Sequence, residues 1–382
     1  MDFKKLEDFM DHLTSWRIPG CACRVYMNGE KVFSYASGYA DVENKIKMDA
    51  EHHRMFMYSI SKIITCATAL SLWEEGRFTL NDPVSRYLPK WSDMKVKERD
   101  CDGNEIIVSA KREITVGDLF TMTSGLDYNC DSPSMTAARN ATAPHCDTMT
   151  IMNALAAEPL NFHPGERWCY GLSHDVLGAV IEAISGKTLG ELAKERIFDP
   201  LGLEKTAYGL DEAYRDEMAV QYCYNDEKGC FEKNWSQDNW AIFGDRYCSG
   251  GAGVVSTVDE IAKIMSVLAN KGKLPSGKRI LASRTVDLMR SPFLSSNQVK
   301  SLDWGHLKGY NYGLGVRTMY DPMGGGSSSP KGEFGWTGAA GGVAIIDPDN
   351  KLALFYAHHM INNQEDYVLP RIRNVLYSCI DE

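Results

Sequence analysis

Two strand-turn-strand patterns, one near each end of the chain, are the features that constrain the fold most. Residues 21–27 and 31–36 flank Asn28-Gly29, a pair that favours the tight type I′ turn of a β-hairpin. Residues 343–346 and 352–358 form a second pattern of the same kind around positions 347–350. Strands at both ends with helices between them predict an α+β fold, in which one sheet uses both termini and a helical region is inserted.

The segment between the two hairpins has a helical pattern. Residues 62–73 are almost wholly apolar or small and are followed by Gly76, which predicts a helix buried on nearly every side. Helical pieces broken by Gly and Pro follow from about 115 to 205, and 367–380 predicts a closing helix. We therefore expect one unit over residues 1–382, with a sheet region at about 1–75 and 245–382 and a mainly helical region at about 76–244.

Charge and composition exclude several classes of protein. The chain has 41 Lys and Arg against 51 Asp and Glu, a formal charge of −10, and no basic block, which argues against nucleic acid or an anionic membrane surface as a partner. No apolar run of about 18 residues occurs, so no membrane span is expected. The N-terminus lacks an apolar secretion segment, and the 11 cysteines are scattered, so we expect free thiols and a cytoplasmic location.

None of the candidate cofactor or metal motifs has all the residues, or the spacing, that binding requires. Gly186-Lys187-Thr188 resembles the end of a phosphate-binding loop, but the earlier glycine is absent and the triplet ends a helix. Two pairs of adjacent histidines occur, His52-His53 and His358-His359. Adjacent side chains on a strand point to opposite sides, so neither pair is able to coordinate one metal ion. No G-x-S-x-G elbow surrounds any serine. We expect neither a metal nor a cofactor.

The S-x-x-K motif occurs three times and is informative at one of them. Ser92 with Lys95 lies in a polar, charged segment, and Ser328 with Lys331 lies in a Gly/Ser stretch, so both indicate surface residues. Ser59, in contrast, precedes the predicted buried helix, and Lys62 lies one turn further on. Context therefore selects Ser59 as the candidate nucleophile.

The spacing of Ser59 and Lys62 has a chemical consequence. Residues three apart on a helix lie on one face, so the lysine amine reaches the serine hydroxyl. Burial disfavours the ammonium form and lowers a lysine pKa, which makes the amine a suitable proton acceptor for serine. Taken alone, these two residues are explained equally well by a serine that caps the helix and a lysine paired with a carboxylate.

Further motifs follow Ser59 and Lys62 in order along the chain. They are residues 115–126 (TVGDLFTMTSGL), 164–173 (PGERWCYGLS), 199–203 (DPLGL), 250–257 (GGAGVVST) and 336–341 (WTGAAG). This series resembles the serine β-lactamase-like superfamily, specifically its class C and penicillin-binding-protein-like branch, and within it the family VIII carboxylesterases. The resemblance extends from about residue 15 to the C-terminus.

The resemblance implies the β-lactamase/transpeptidase-like fold, an antiparallel sheet packed by helices with the active site in a cleft beside a helical region. It implies that Ser59 is the nucleophile, that Lys62 is its partner and that Tyr170 shares the acid and base work. A tyrosine becomes a useful base beside a cation such as Lys62, which favours its phenolate. By position, the backbone N–H groups of Ser59 and Ala339 form the oxyanion hole, a contribution of about 3–4 kcal/mol to lowering the barrier.

Two residues depart from the β-lactamase pattern. Leu172 stands where the branch has the asparagine of Y-x-N, and Trp336, ahead of Thr337 and Gly338, replaces the cation of K-T-G. Without both residues the pocket is more apolar and has fewer cations. A tryptophan in place of the basic residue resembles the family VIII esterases, whose substrates are uncharged acyl esters. The aromatic side chains of Tyr128 and Trp240 are candidates for lining this pocket, and a core role for each is an equally good interpretation.

We expect a serine hydrolase that cleaves carboxylic esters, or transfers their acyl group, through an acyl-Ser59 intermediate. Its substrate is a small-molecule ester or amide, and the sequence does not indicate an oligomeric state. A β-lactamase or D-alanyl peptidase is the rival enzyme, against which the missing K-T-G cation and the absence of an export segment both count. A third possibility, which is not an enzyme, is an inactive homologue that uses the cleft to bind a ligand.

Overall fold

The two ends of the chain pair with each other in the centre of one sheet. The computed structural model describes residues 1–234 and 239–380, and its largest sheet has eight strands, which lie side by side in the order 310–312, 317–319, 334–335, 343–347, 352–358, 20–27, 30–41 and 46–47. The strand at 20–27 runs antiparallel to the strand at 352–358, with Cys21 opposite His358 and Met27 opposite Leu352. The predicted α+β fold, with a sheet built from both termini, is confirmed.

Most strands of the described residues are short, and the longest are those at the centre of the sheet. They are β1 Gly20–Met27, β2 Glu30–Asp41, β3 Ile46–Lys47, β4 Met55–Phe56, β5 Lys95–Arg99, β6 Glu105–Ser109, β7 Ala207–Tyr208, β8 Tyr222–Asn225, β9 Cys230–Lys233, β10 Val254–Ser256, β11 Tyr310–Tyr312, β12 Arg317–Met319, β13 Phe334–Gly335, β14 Val343–Asp347 and β15 Leu352–His358. Strands β4, β10 and β7 form a small separate sheet, and β5-β6 and β8-β9 are isolated hairpins.

The α-helices of the described residues surround the sheet and fill the middle of the chain. They are α1 Lys4–Trp16, α2 Ser61–Glu74, α3 Val116–Phe120, α4 Pro133–Thr142, α5 Thr148–Leu155, α6 Ser173–Ser185, α7 Leu189–Ala193, α8 Asp199–Leu201, α9 Val258–Ala269, α10 Ser283–Met289, α11 Pro322–Gly325 and α12 Glu365–Ile380. Between β4 and β10, helices α2 to α8 are interrupted by two hairpin strands, β5 and β6, so the region predicted as mainly helical also contains strands. Its division from the sheet region stays a prediction.

Both predicted hairpins are present, and the first shows why its turn needs the residues it has. Asn28 and Gly29 have φ angles of 53° and 86°, the left-handed region that a type I′ turn requires at both central positions. The Asn28 amide donates to the Lys351 carbonyl oxygen at 3.0 Å, so the turns of the two hairpins lie side by side. This hydrogen bond fixes the register of β1 against β15 at one end of the two strands.

Helices cover both faces of the sheet. Along β1, Cys21, Cys23 and Val25 pack into the core that includes α1 and α12, whereas Ala22 and Tyr26 pack into the core that includes α2 and α9. This alternation follows from the two-residue period of a strand. Because both faces are apolar, the central strands are buried along nearly their whole length.

Helix α2 is the buried helix that the apolar pattern predicted. From Ser61 to Leu72 every residue is buried, and the helix packs against α6 and α7. A 3₁₀ turn over Tyr58–Ile60 leads directly into it. The result is a solvent-excluded helix with Ser59 at its entrance and Lys62 in its first turn.

Two further sequence predictions concern the whole chain. All 11 cysteines lie in the described ranges and are free thiols. Across residues 1–234 and 239–380, no helix has both the length and the apolar character that crossing a membrane requires.

Candidate active site

Ser59 lies in a strained turn at the entrance to helix α2. The preceding residue, Tyr58, has a φ of 45°, in the left-handed region that a bulky side chain rarely occupies. Its buried ring is fixed by a hydrogen bond from the hydroxyl to Gln221 Oε1 at 2.8 Å. Such strain, of order 1–3 kcal/mol, persists only where the surrounding structure over-determines it and is concentrated at functional sites. The sequence carried no signal for this conformation.

Lys62 reaches back from the first turn of α2 to the Ser59 hydroxyl. Its Nζ lies 3.2 Å from Ser59 Oγ, 2.8 Å from the Tyr128 hydroxyl oxygen and 2.8 Å from the Gly251 carbonyl oxygen. The side chain is fully buried. The three-residue spacing therefore brings the amine and the hydroxyl together, and two more distant residues hold the amine in place.

Burial also changes the proton affinity of Lys62. Removal of the amine from water lowers its pKa to about 7, although the nearby charge of Asp175 acts in the opposite direction. The ammonium form is penalised because a low-dielectric interior stabilises it less than water does. At pH values above about 7 the amine is mostly neutral and is able to accept the Ser59 proton.

Tyr170 approaches Ser59 from the loop just before helix α6. Its hydroxyl oxygen lies 2.5 Å from Ser59 Oγ, and the Trp336 indole N–H donates to the same oxygen at 3.1 Å. From the sequence we expected a cation such as Lys62 beside Tyr170 to favour its phenolate. Lys62 Nζ lies over the Tyr170 ring, 4.5 Å from its centroid, and burial raises the pKa of Tyr170. In this arrangement Tyr170 is a neutral phenol and a proton donor.

Aromatic rings surround Tyr170 on several sides. The centroid distances to its ring are 5.3 Å from Tyr128, 6.0 Å from Trp168, 5.1 Å from Trp304 and 5.4 Å from Trp336. Trp168 and Trp304 were not predicted from the sequence. Trp168 lies two residues from Tyr170, and this proximity was the available signal, whereas nothing in the sequence relates Trp304 to the other rings.

The Trp336-Thr337-Gly338 segment ends in a tight turn beside the nucleophile. The Gly338 amide donates to the Gly342 carbonyl oxygen at 2.8 Å. A Cβ on Gly338 would lie 2.6 Å from the Met57 carbonyl oxygen, so only glycine lets the turn approach the chain just before Ser59 this closely. Among the hydrogen bonds of the described residues the Ala339 amide has no acceptor. That N–H is available to a substrate oxygen, as the oxyanion-hole prediction requires.

The candidate pocket residues divide into two groups. Tyr128 is half-buried beside Lys62, and its ring lies 6.0 Å from the ring of Trp240, which is 55% exposed. Leu172 is only 2% exposed and packs in the main core, where it is the residue at the N-terminal end of α6. An apolar side chain at this position turns inward, so the structure does not bring Leu172 to the open part of the site.

A buried carboxylate beside Lys62 was also not predicted from the sequence. Asp175, in the first turn of α6, is 1% exposed and accepts hydrogen bonds from the hydroxyls of Tyr247 and Ser249 at 2.9 and 2.7 Å. A charged residue in the first turn of the mostly apolar helix after Tyr170 was the available signal. Within the two described ranges, no group of three or more His, Cys, Asp or Glu side chains is arranged to hold a metal ion.

The site brings together Ser59, Lys62 and Tyr170 at the entrance of a buried helix, beside an antiparallel sheet. This is the arrangement of a serine hydrolase. The sequence model of the Beta-lactamase family matches residues 4–374, and the chain belongs to this family. The resemblance inferred from the spaced motifs is thereby confirmed.

Relatives and a solved structure agree with this assignment. The chain is 27% identical to esterase EstB of Burkholderia gladioli, over 89% of this chain and 85% of the relative. It is 27% identical to monacolin J acid methylbutanoyltransferase of Aspergillus terreus, over 75% and 70%. The solved structure of EstCE1, a hydrolase with promiscuous acyltransferase activity, matches with a TM-score of 0.79 at 24% identity, covering 98% of each chain. This structural match supports the fold.

Proposed function

We propose that this protein cleaves carboxylic esters, or transfers their acyl group to another alcohol, through an acyl-Ser59 intermediate. The observation that carries the proposal is the position of Ser59 Oγ between a proton acceptor and a proton donor. The Lys62 amine lies 3.2 Å from it on one side and the Tyr170 hydroxyl 2.5 Å from it on the other. A serine needs an adjacent base to become nucleophilic, and its leaving group needs an acid.

In the acylation step, neutral Lys62 accepts the Ser59 proton while Oγ bonds to the ester carbonyl carbon. The carbonyl oxygen becomes an oxyanion that accepts hydrogen bonds from the backbone N–H groups of Ser59 and Ala339. The tetrahedral intermediate then breaks its bond to the alcohol oxygen, which takes its proton from Tyr170. Acyl-Ser59 is left beside a Lys62 ammonium and a Tyr170 phenolate.

Deacylation reverses these roles. The Tyr170 phenolate takes a proton from water, or from an acceptor alcohol, whose oxygen attacks the acyl carbon. When the second tetrahedral intermediate collapses, Ser59 Oγ leaves and recovers its proton from the Lys62 ammonium. The Trp336 N–H, which donates to the Tyr170 oxygen at 3.1 Å, stabilises the phenolate through the interval.

Several features favour neutral esters over anionic β-lactams. Trp336 replaces the cation that would attract a carboxylate, and the carboxylates of Glu365 and Asp175 both act electrostatically on Tyr170. Among the aromatic rings around the site, Tyr128 and Trp304 are partly exposed and Trp240 is exposed, so these three offer apolar surface to an acyl chain. Among the relatives, one is named an esterase and another an acyltransferase, which supports both the hydrolytic and the transfer outcome.

The proposal is tested by hydrolysis of p-nitrophenyl acetate and butyrate by the wild type and the Ser59→Ala variant. We expect the variant to fall to the background rate, and a mass increase equal to the acyl group on the wild-type peptide that contains Ser59. The control is Ser92→Ala, because Ser92 belongs to another S-x-x-K match but is exposed on the surface. Undiminished activity of Ser59→Ala would overturn the assignment.

Two companion measurements separate the alternatives. Faster turnover of nitrocefin than of the esters would favour a β-lactamase. Failure of a fluorophosphonate probe to label Ser59 in the folded protein would favour an inactive homologue that binds a ligand.

We also propose that the protein is located in the cytoplasm. The 11 free thiols support it, since oxidising compartments favour disulfides. Fractionation of producing cells, with the tagged chain followed by immunoblot, tests it directly.

A further inference from the structure

A carboxylate buried close to Lys62 is the strongest feature that the proposed chemistry leaves unexplained. Asp175 is 1% exposed, yet its Oδ1 accepts hydrogen bonds from Tyr247 and Ser249, both of them hydroxyl donors. An ionised carboxylate in a protein interior is costly unless hydrogen bonds and an opposite charge compensate it. The hydroxyls supply the hydrogen bonds, so the opposite charge is the partner that has to be identified.

Lys62 is the cation that acts electrostatically on Asp175, and Gly251 lies between the two side chains. The Lys62 amine donates to the Gly251 carbonyl oxygen at 2.8 Å. A Cβ on Gly251 would lie 2.6 Å from Asp175 Oδ2 and 3.2 Å from Lys62 Nζ, so the glycine backbone occupies the narrow space between carboxylate and amine. Any side chain there would force the two groups apart.

We propose that Asp175 is a positioning residue whose carboxylate is the buried counter-charge of Lys62 and fixes the Gly251 peptide that orients the Lys62 amine. This inference rests on the proposed function, because it assigns Asp175 a role through the amine that receives the Ser59 proton. Asp175 does not touch Ser59, and it acts on the nucleophile through Lys62.

The counter-charge adjusts the balance between the two forms of Lys62. Burial alone disfavours the ammonium, and the Asp175 carboxylate restores part of its stability, so that Lys62 is able both to accept a proton and to hold it during the acyl-enzyme stage. Burial raises the pKa of Asp175, and the charge of Lys62 opposes this rise together with the hydrogen bonds from Ser249, Tyr247 and the Gly251 amide. The other titratable groups that interact electrostatically with this pair or with the adjoining Tyr170 are Cys66, Cys130, Tyr128, His174, Tyr208, Tyr247, Tyr312 and Glu365.

The first test uses stability and does not depend on any enzymatic activity. Thermal unfolding is measured at pH about 6, where Lys62 is charged, for the wild type, Asp175→Asn, Lys62→Met and the double variant. We expect Asp175→Asn to lower the unfolding temperature in the wild-type background, because it leaves a buried ammonium without a counter-charge. In the Lys62→Met background the same change removes an unpaired carboxylate, and we expect it to raise the unfolding temperature or to leave it unchanged. An equal decrease in both backgrounds would overturn the proposal.

The second test is the pH profile of ester hydrolysis. For Asp175→Asn we expect the acid limb of kcat/KM to move to lower pH by about one unit, since loss of the carboxylate destabilises the ammonium. The control is Tyr247→Phe, which removes one hydrogen bond to Asp175 but keeps its charge, and should leave the limb within a few tenths of a unit.

The outcomes of the two tests separate the two proposals. A folded Asp175→Asn variant with the wild-type limb would show a merely structural role and overturn the inference. Absence of esterase activity in the wild type would count against the proposed function alone, since the stability cycle still decides whether Lys62 and Asp175 are coupled. If Asp175→Asn does not fold, Asp175→Asn in the Lys62→Met background decides the matter, because the proposal requires that double variant to fold.

Discussion

Trp336→Phe is the substitution that most sharply tests how the site works without a K-T-G cation. The Trp336 indole N–H donates to the Tyr170 hydroxyl oxygen at 3.1 Å, and the two rings stack with centroids 5.4 Å apart. Phenylalanine keeps a ring at this position but removes the donor. A hydrogen bond to an ionised group contributes about 1.5–3 kcal/mol. Because the Tyr170 oxygen becomes charged during the reaction, we expect kcat for ester hydrolysis to fall about ten- to hundredfold.

The matched control is Trp168→Phe. Trp168 is also buried and stacks on Tyr170, with centroids 6.0 Å apart, but among the described residues its indole N–H has no acceptor. Both variants lose the same ring atoms from the same aromatic cluster, so both should lose stability, by about 1–3 kcal/mol in urea unfolding. Only Trp336→Phe should lose the catalytic contribution. Equal decreases in kcat for the two variants would refute the role of the N–H and assign the effect to packing.

Three further predictions follow from the geometry around Ser59. The kcat/KM for esters should rise with pH through a midpoint of about 7, since the Lys62 amine must be neutral to accept a proton, and a flat profile between pH about 6 and about 8 would contradict this. Gly338→Ala should lower kcat about a hundredfold, because its Cβ would lie 2.6 Å from the Met57 carbonyl oxygen and displace the turn that carries the oxyanion donor. The control is Gly305→Ala, whose Cβ would have no neighbour within 4 Å. Equal activities of the two variants would contradict the role assigned to the turn. Tyr128→Phe removes a 2.8 Å hydrogen bond to the Lys62 amine and should move the acid limb of kcat/KM to lower pH, whereas a shift to higher pH would show that Tyr128 donates to the neutral amine.

The parts of the site that sequence predicts well are those set by local geometry. Ser59 and Lys62 are three residues apart at the start of a buried helix, and this spacing places the amine on the same face as the hydroxyl, 3.2 Å from it. The first hairpin is equally local, because Asn28-Gly29 is a pair able to adopt two left-handed conformations in succession. In both cases the interacting residues are close in the chain, so the local sequence pattern is enough to predict their contact.

Contacts between distant parts of the chain were not predictable in this way. The two further partners of the Lys62 amine, Tyr128 and Gly251, lie 66 and 189 residues away in sequence. Their approach depends on the packing of α2 against α6 and on the loop before β10, which no residue pattern specifies. The sequence placed Tyr170 and Lys62 near Ser59 but not relative to each other, so the position of the Lys62 amine over the Tyr170 ring was not predictable.

Leu172 and Trp336 show that a motif position identifies a residue without fixing the direction of its side chain. Both were interpreted as making the pocket more apolar, but Leu172 turns into the core, and Trp336 uses its polar edge to contact the Tyr170 hydroxyl. The preference for uncharged substrates that we propose then rests on electrostatics more than on apolar lining. The reactive form of the site has a neutral Lys62 amine, and in that form the carboxylates of Asp175 and Glu365 are the charges that act on Tyr170. A substrate carboxylate would therefore be repelled when the nucleophile is ready to react, whereas a neutral ester would not.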